Sequence, residues 1–201
     1  MSRRGTLFVV SAPSGTGKDT VVRELLARHP ELGFSVSATT RKPRPGEQEG
    51  VDYYFVSPER FSEMIEKNEF LEYAEYTSAS YGTPAAPVDE ALDAGRDMIL
   101  VIEMTGARWV QVKRPDAVLI FLVPPSFEEL ERRLRGRGTE TEEQIEARMK
   151  KARTEVAQMG GYDYIVINDE LSDAVADVEA IVRAERLKAN KSLESVKGGL
   201  K

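Results

Sequence analysis

The sequence predicts an α/β fold that is doubly wound, with a parallel core sheet flanked by helices. Its apolar runs of strand length lack polar/apolar alternation, which is typical of parallel strands covered on both faces. Stretches with helical periodicity separate these runs, and such alternation indicates this architecture. The first run also passes through a glycine-bearing turn directly into a helical pattern. The runs span residues 6–11, 97–102, 117–123 and 163–167.

The first run leads into residues 11–20, which read Ser-Ala-Pro-Ser-Gly-Thr-Gly-Lys-Asp-Thr. A loop between a buried strand and a helix N-terminus presents backbone N–H groups at the positive end of the helix dipole, which suits a polyphosphate. Gly15 and Gly17 let the backbone turn tightly, and the Lys18 side chain can reach outer phosphates. We therefore predict a phosphate-binding loop made of Ala12, Pro13, Ser14, Gly15, Thr16, Gly17, Lys18, Asp19 and Thr20.

Two positions of this loop depart from the pattern Gly-x-x-x-x-Gly-Lys-Ser/Thr. Ala12 replaces the first glycine, and Asp19 replaces the hydroxyl residue that would help to hold Mg²⁺. Asp19 suits the first turn of a helix, but it adds negative charge beside anionic phosphates. Thr20 and Asp19 are the candidate Mg²⁺ ligands. The sequence leaves open whether Asp19 joins the outer shell of the ion or weakens binding of the phosphates.

Residues 34–83 interrupt the alternation of strands and helices and predict a small, mostly β insert. They are rich in Thr, Tyr, Phe, Arg and Pro. Short strands are predicted at 52–56 and 69–76, with a short helix at 58–67 between them. The core domain then comprises residues 1–33 and 84–201.

The C-terminal half contains three clear helical patterns. Ser126 is a candidate N-cap for a helix over 126–135, and a capping-box pattern from Thr141 to Gln144 begins a helix over 141–158. The last helix has an apolar face made of Leu171, Val175, Val178, Ile181 and Val182. The polar tail, residues 188–201, is predicted to be frayed.

The composition limits the possible partners. With 41% hydrophobic and 31% charged residues, the 201 residues fit one soluble globular domain with an apolar core. The net charge of −6 argues against a nucleic-acid binder that works by bulk charge, so an anionic ligand must be held by local arginines. The absence of cysteine excludes disulfides and thiolate metal sites, and the single histidine, His29, is expected to face solvent.

The apolar segments are too short for targeting or membrane insertion. The stretch that follows the N-terminal arginines is shorter than the core of a signal peptide, and the longest apolar run, 117–123, is far shorter than a membrane span. We therefore expect a cytoplasmic protein without a membrane partner.

A second group of polar residues lies in the insert. Arg41 and Arg44 flank a proline-stiffened turn, and Tyr53 and Tyr81 follow. Two guanidiniums with fixed phenolic hydroxyls are what an acidic protein needs to bind a phosphate monoester.

Glu72 is the candidate base-reading acid of the insert. Strand alternation puts its side chain on the opposite face of the strand from those of Leu71 and Tyr73. A carboxylate can accept hydrogen bonds from both N1–H and the 2-amino group of guanine, whereas adenine lacks this donor pair. Sites built on such polar matching discriminate by roughly 10⁴–10⁵-fold. The hydroxyls of Ser37 and Thr83 could serve the remaining ring atoms.

The order and spacing of the motifs resemble those of guanylate kinase over about residues 5–187. The resemblance implies a P-loop nucleoside monophosphate kinase-like fold with a GMP-binding insert at 34–83 and a helical lid at about 126–158. It also implies ATP and GMP as substrates, Mg²⁺ as cofactor, and ADP and GDP as products. The matching motifs are Ser37-x-Thr-Thr-Arg-x-Pro-Arg-Pro-Gly-Glu, Asp52-Tyr-Tyr-Phe, Phe70-Leu-Glu, Tyr81-Gly-Thr, Pro124-Pro-Ser, Arg135-Gly-Arg-Gly-Thr-Glu-Thr-Glu-Glu and Val166-Ile-Asn-Asp.

The same resemblance implies roles for individual residues. Guanine would be read by Ser37, Glu72 and Thr83, while the GMP phosphate would be held by Arg41, Arg44, Tyr53 and Tyr81. Asn168 and Asp169 lie where the family meets adenine. Phosphoryl transfer needs positioning and positive charge on the moving group, and the candidate catalytic residues are Lys18, Arg41, Arg133, Arg137 and Arg148. Arg132 and Arg135 are expected to pair with Glu128, Glu129 and Glu131 on the helix surface.

One departure from the family falls in residues 99–106. The family usually carries acids at positions 101 and 103 and glutamine at 105, whereas this chain has Val101, Glu103 and Thr105. Residues 101 and 103 would share one face of a strand, about 6.6 Å apart. Glu103 is therefore a candidate for the GMP site or for the Mg²⁺ shell, and altered nucleotide affinity or selectivity is one consequence to test.

Two other functions are compatible with parts of the sequence. A related P-loop kinase of a phosphorylated sugar, such as ribose bisphosphate phosphokinase, is disfavoured because the insert carries every guanine-reading and phosphate-holding residue. A non-catalytic guanylate-kinase-like interaction module would be degraded at the phosphate loop and the lid, where this chain keeps Lys18 and the lid arginines.

Overall fold

The computed structural model describes residues 3–76, 78–136, 138 and 140–189. The strands are β1 (Leu7–Ser11), β2 (Gly33–Phe34), β3 (Ala38–Thr39), β4 (Tyr54–Phe55), β5 (Phe70–Glu75), β6 (Ser80–Pro84), β7 (Met98–Val101), β8 (Val118–Val123) and β9 (Tyr164–Ile167). The helices are α1 (Lys18–Arg28), α2 (Pro58–Glu66), α3 (Ala85–Asp93), α4 (Met104–Lys113), α5 (Phe127–Arg135), α6 (Glu142–Val156) and α7 (Leu171–Arg186).

The core is a five-stranded sheet in the order β2-β7-β1-β8-β9, and its strand pairs are all parallel. β1 is central, with Val9 opposite Leu100 of β7 and Leu119 of β8. Alternate residues of a strand face opposite sides of a sheet, so Phe8 and Val10 pack with α1 and α7, while Leu7 and Val9 pack toward α3 and α4. The predicted fold class is confirmed.

This topology leaves a crevice at the carboxyl edge of the core sheet. β1 leads into α1 on one face, and its neighbour β7 leads into α4 on the other face. Connections that diverge in this way open a gap between them, which is the usual ligand site of doubly wound sheets. The predicted phosphate loop lies at this position.

The segment between β2 and α3 forms a four-stranded sheet in the order β4-β3-β6-β5. Ser57 caps α2 by accepting from the Arg60 N–H, with Pro58 at the first helical position. The Phe61 and Phe70 rings, 4.6 Å apart, are central to the small apolar core between α2 and the sheet. An irregularity between Phe70 and Glu72 shifts the register so that Glu72 lies opposite Thr83.

Helices α5 and α6 pack against each other through a separate apolar cluster that includes Leu130, Leu134 and Met149. The Ser126 cap and the capping box between Thr141 and Gln144 are both confirmed. The predicted tail lies outside the described residues from position 190 onward. In the described part of the chain, no helix is both long enough and apolar enough to cross a membrane.

The structure differs from the sequence expectations at several places. Helices α3 and α4 have no predicted counterpart, and the pairing of β2 with β7 adds Gly33 and Phe34 to the core sheet. The expectation that both faces of the last strand are covered is wrong: β9 is an edge strand, and Ile165 and Ile167 are 48% and 57% exposed. Leu171, expected on the apolar face of α7, is 37% exposed because it begins the helix.

Candidate functional site

The loop between β1 and α1 has the geometry of an anion cradle. Gly15 and Gly17 have φ angles of 94° and 91°, a region where only glycine is unstrained. A Cβ atom at Gly15 would lie 2.7 Å from Leu134 Cδ2 of α5, so the loop packs closely on that helix. Gly17 is the N-cap of α1, and the loop therefore directs its backbone toward the positive end of the helix dipole.

The phosphate-loop cleft is the space of about 220 Å³ above this cradle. Lys18 enters it from the first turn of α1, and its Nζ lies 3.4 Å from Asp19 Oδ1. The cleft is lined by Ala12, Pro13, Ser14, Gly15, Gly17, Lys18, Asp19, Thr20, Ile102, Glu103, Lys151 and Glu155. Thr16, the loop residue between the two glycines, is fully buried and is not part of this lining.

The oxygen atoms in the phosphate-loop cleft fit Mg²⁺ bound together with phosphates. Asp19, whose side chain is 90% exposed, and the exposed Thr20 both line the cleft, and Glu103 lies across from them. Within the described residues, no group of three or more acidic, histidine or cysteine side chains is placed to hold a metal. Mg²⁺ usually keeps several waters and takes one or two protein oxygens plus substrate phosphates, so this sparse donor set suits it.

Arg133 and Asn168 support the phosphate loop from its carbonyl side. The Asn168 Nδ2 donates to the Thr16 carbonyl at 2.6 Å, and a Cβ atom at Gly17 would lie 2.8 Å from the same nitrogen. The Arg133 guanidinium donates to the carbonyls of Asn168 at 2.8 Å and Asp169 at 3.3 Å. These bonds tie α5 and the segment after β9 to the loop.

The remaining arginines of the predicted lid divide into two groups. Arg148 of α6 reaches the phosphate loop, where its Nη1 donates to Ser14 Oγ at 3.0 Å. As expected, Arg132 and Arg135 form surface ion pairs with Glu129 and with Glu131, respectively. The hydrogen bonds from Arg132 and then Arg133 lower the pKa of Glu129 to about 2. Arg137, also predicted to be catalytic, lies outside the described residues.

The insert cleft, about 450 Å³, lies between the four-stranded sheet and the start of α4. Glu72 is 8% exposed, and its Oε1 accepts a 2.6 Å hydrogen bond from the Thr83 hydroxyl. Its Oε2 occupies space that exists because Gly106 has no side chain, since a Cβ atom there would lie 2.8 Å away. The lining residues are Ser37, Tyr53, Glu72, Tyr73, Ala74, Tyr76, Tyr81, Val101, Ile102, Glu103, Thr105 and Gly106.

Burial raises the pKa of Glu72, and hydrogen bonds from Thr83 partly offset this effect. Such a carboxyl has a higher pKa in the folded chain than in the unfolded chain. At pH values between these two pKa values the folded chain binds more protons, so the free energy of unfolding falls as the pH rises through this range. We therefore expect the stability of Glu72→Gln relative to the wild type to increase from about pH 4.3, the ordinary pKa of glutamate. Urea unfolding without nucleotide, across the pH range, measures this difference.

Glu75→Gln is the matched control, because Glu75 lies on the same strand and is exposed. Because this variant removes an exposed carboxylate and no buried one, it should not reproduce the rise expected for Glu72→Gln. A flat or falling difference for Glu72→Gln would contradict the inferred burial effect.

Arg41 is held in place by Glu47 at the rim of the insert cleft. Its Nη1 and Nη2 donate to the two Glu47 oxygens at 2.6 and 2.7 Å, and the Arg44 backbone N–H donates to the same carboxylate at 2.8 Å. The hydrogen bonds from Arg41 and then from the Arg44 backbone lower the pKa of Glu47 to about 2. The Tyr53 ring lies 4.8 Å from the Arg41 guanidinium, and the Tyr81 ring lies 5.9 Å from that of Tyr53. Arg41 and both tyrosines are thereby brought together, with the exposed Arg44 beside them.

Glu103 lies beyond the strand that the sequence predicted. β7 ends at Val101, and Glu103 is the N-cap residue of α4, although both residues line the insert cleft, as their predicted common side requires. The chain turns there to begin the helix. Glu103 and Ile102 consequently line both clefts and form the wall between them.

Sequence reasoning missed Lys151 and Glu155, which line the phosphate-loop cleft from α6, and Gly106, which makes room for Glu72. Residues 148, 151 and 155 have the spacing of one helix face. That spacing was the available signal, since Arg148 was already a candidate.

Comparison with known proteins identifies the family. The guanylate kinase family model matches residues 4–185. The guanylate kinase of Paramagnetospirillum magneticum is 52% identical, over 96% of this chain and 91% of its own length, and that of Clostridioides difficile is 48% identical, over 94% and 92%. The crystal structure of guanylate kinase from Anaplasma phagocytophilum superimposes with a TM-score of 0.74 at 34% identity, covering 97% of this chain and 94% of that one. The chain belongs to the guanylate kinase family.

Proposed function

We propose that this protein is an ATP:GMP phosphotransferase that binds ATP in the phosphate-loop cleft and GMP in the insert cleft. The products are ADP and GDP. The proposal rests on the buried Glu72 carboxylate, which accepts a hydrogen bond from Thr83 in a cleft that shares Ile102 and Glu103 with the phosphate-loop cleft.

The phosphate-loop cleft serves as the donor site. Backbone N–H groups of the loop cradle the ATP phosphates, and Lys18 contacts the outer ones. Asn168 and Asp169, which follow β9 and lie behind the loop, meet the adenine side of ATP. The ATP-binding set is Ala12, Pro13, Ser14, Gly15, Thr16, Gly17, Lys18, Asp19, Thr20, Asn168 and Asp169.

The insert cleft serves as the acceptor site. Arg41 offers a phosphate the N–H groups that its bonds to Glu47 and to the Lys42 carbonyl do not use, and the Tyr53 and Tyr81 hydroxyls lie beside it. A carboxylate at Glu72 pairs with the donor edge of guanine and would be left unpaired against adenine, which costs binding of the wrong base. The GMP-binding set is Ser37, Arg41, Arg44, Tyr53, Glu72, Tyr81, Thr83 and Glu103.

Transfer proceeds when an oxygen of the GMP phosphate attacks the γ-phosphorus of ATP and the bond to the β,γ-bridging oxygen breaks, leaving ADP. Such reactions depend on alignment and on positive charge around the moving group. We assign this task to Lys18, Arg41, Arg133, Arg137 and Arg148. The lid, residues 126–158, would close over the insert of 34–83 and over the rest of the core domain, which comprises 1–33 and 84–201. This closure would exclude water and limit ATP hydrolysis.

Thr20 and Asp19 would hold Mg²⁺ at the mouth of the phosphate-loop cleft. When bound, the ion neutralises charge on the β- and γ-phosphates and helps to orient them. A cytoplasmic location fits an enzyme that acts on free nucleotides and stays a prediction.

A coupled assay tests the function directly. The purified protein is supplied with ATP and Mg²⁺ together with GMP, AMP, UMP, CMP or ribose bisphosphate in turn, and ADP formation is followed. Activity confined to GMP is expected. A preference for ribose bisphosphate, or no transfer to any acceptor, would overturn the proposal.

A further inference from the structure

An ion pair joins the lid to the wall between the two clefts. Lys151 of α6 lies one helical turn beyond Arg148, and its Nζ is 3.0 Å from Glu103 Oε2. The same ammonium lies 3.7 Å from Glu155 Oε1, also on α6. All three side chains line the phosphate-loop cleft.

Acidic and phenolic groups surround this ammonium. Glu155 is largely buried, with its side chain 14% exposed, and burial raises its pKa. Burial raises the pKa of Tyr76, which belongs to the insert. The nearby Glu103 carboxylate raises this pKa further, and the nearby Lys151 ammonium opposes the rise. Lys151 therefore pairs with Glu103 at the start of α4 and lies close to Glu155 on its own helix.

The ion pair contributes little to stability, because Lys151 and Glu103 are 54% and 61% exposed. Its consequence concerns the ligand. Glu103 lines the space that the proposed function gives to a polyanion, and a carboxylate there repels phosphates. Two unit charges a few ångströms apart in a partly hydrated cleft interact strongly enough to change an equilibrium by about tenfold or more.

We propose that Lys151 is a positioning residue that allows ATP to bind by offsetting the charge of Glu103, rather than by contacting the phosphates itself. The proposal rests on the assignment of the phosphate-loop cleft to ATP. It follows that the affinity for ATP depends on the summed charge of Lys151 and Glu103 more than on the other properties of the lysine side chain.

The test compares the calorimetric binding of MgATP by variants of Lys151 alone and of Lys151 together with Glu103. Lys151→Met should bind MgATP about tenfold more weakly than the wild type at low ionic strength, and the loss should shrink toward twofold at about 0.5 M salt because salt screens the exposed charge. Lys151→Arg should bind within about twofold of the wild type. The variant Glu103→Gln/Lys151→Met, which restores the net charge, should bind within about threefold of the wild type.

Lys150→Met is the matched control, because Lys150 is the adjacent exposed lysine of α6 and does not line the cleft. Its affinity for MgATP should stay within about twofold of the wild type. The proposal is overturned if the MgATP affinity of Lys151→Met is within fivefold of the wild-type affinity at low ionic strength. It is also overturned if the double variant binds MgATP more than threefold more weakly than the wild type does.

This readout separates the two proposals. Binding of MgATP does not depend on the acceptor, so a wild-type protein that binds ATP but fails to phosphorylate GMP would sink the proposed function alone. Thermal unfolding of each variant confirms that the substitutions leave the fold intact.

Discussion

Replacing Lys18 with alanine should lower kcat for phosphoryl transfer from ATP to GMP by about 10²–10³-fold, the usual cost of removing one group that stabilises transition-state charge. Lys18 enters the phosphate-loop cleft from the first turn of α1, with its ammonium 3.4 Å from Asp19. Since Lys18 does not line the insert cleft, GMP affinity should change little. Steady-state kinetics with both substrates varied, together with GMP binding by calorimetry, measure the two effects.

Arg23→Ala is the control for this variant, because Arg23 is an exposed cation on the same helix and does not line the cleft. It should retain activity within about twofold. A Lys18→Ala protein that keeps more than a tenth of wild-type kcat would show that the loop backbone and the lid arginines suffice without the ammonium.

Replacing Glu72 with alanine should reduce the preference for GMP over AMP by about 10²–10³-fold. The wild-type site is built on polar matching, which supports discrimination of roughly 10⁴–10⁵-fold. Removing the carboxylate takes away the acceptor for N1–H and the 2-amino group, so kcat/KM for GMP falls. The kcat/KM for AMP should stay the same or rise, because no buried carboxylate is then left unpaired against adenine.

The comparison of kcat/KM for GMP and AMP should include Glu72→Gln and Glu75→Ala. Glu72→Gln keeps the shape of the side chain and an acceptor for the Thr83 hydroxyl, so it separates loss of charge from loss of packing. Glu75 lies on the same strand with its side chain exposed, and its replacement should leave selectivity unchanged. If selectivity survives in Glu72→Ala, the assignment of Glu72 as the guanine reader is wrong.

The phosphate loop could be predicted because its chemistry is local. A buried strand, two glycines at positive φ and a lysine at a helix start lie within one short segment, and each has one dominant structural reason to be there. The buried position of Glu72 was likewise predictable, since its neighbours in the strand are apolar. The hydrogen bond from Thr83 to Glu72 was not predictable, because the pairing of β5 with β6 contains an irregularity that no sequence rule specifies.

Glu103 was a candidate from the sequence, but neither its place beyond the end of β7 nor its contact with Lys151 could be predicted, for two physical reasons. Glu103 follows an apolar run that reads as strand, yet the chain leaves the sheet after Val101 to begin α4, and element ends are set by tertiary packing more than by local propensity. Lys151 reads as one of many surface lysines until α6 is packed on α5, which turns the face of residues 148, 151 and 155 toward the phosphate loop. Exposure of Ile165 and Ile167 has a similar origin, because the sequence does not say which strand forms the edge of the sheet.

The proposed function requires two adjoining clefts to hold a triphosphate and a guanine monophosphate with their phosphates facing each other. A crystal structure with GMP and a non-hydrolysable ATP analogue would show whether they do. We predict the guanine edge within hydrogen-bonding distance of the Glu72 carboxylate, the GMP phosphate on Arg41, Tyr53 and Tyr81, and the triphosphate on the loop beside Lys18. Density for GMP away from Glu72, or for the triphosphate away from the loop, would contradict the proposed function.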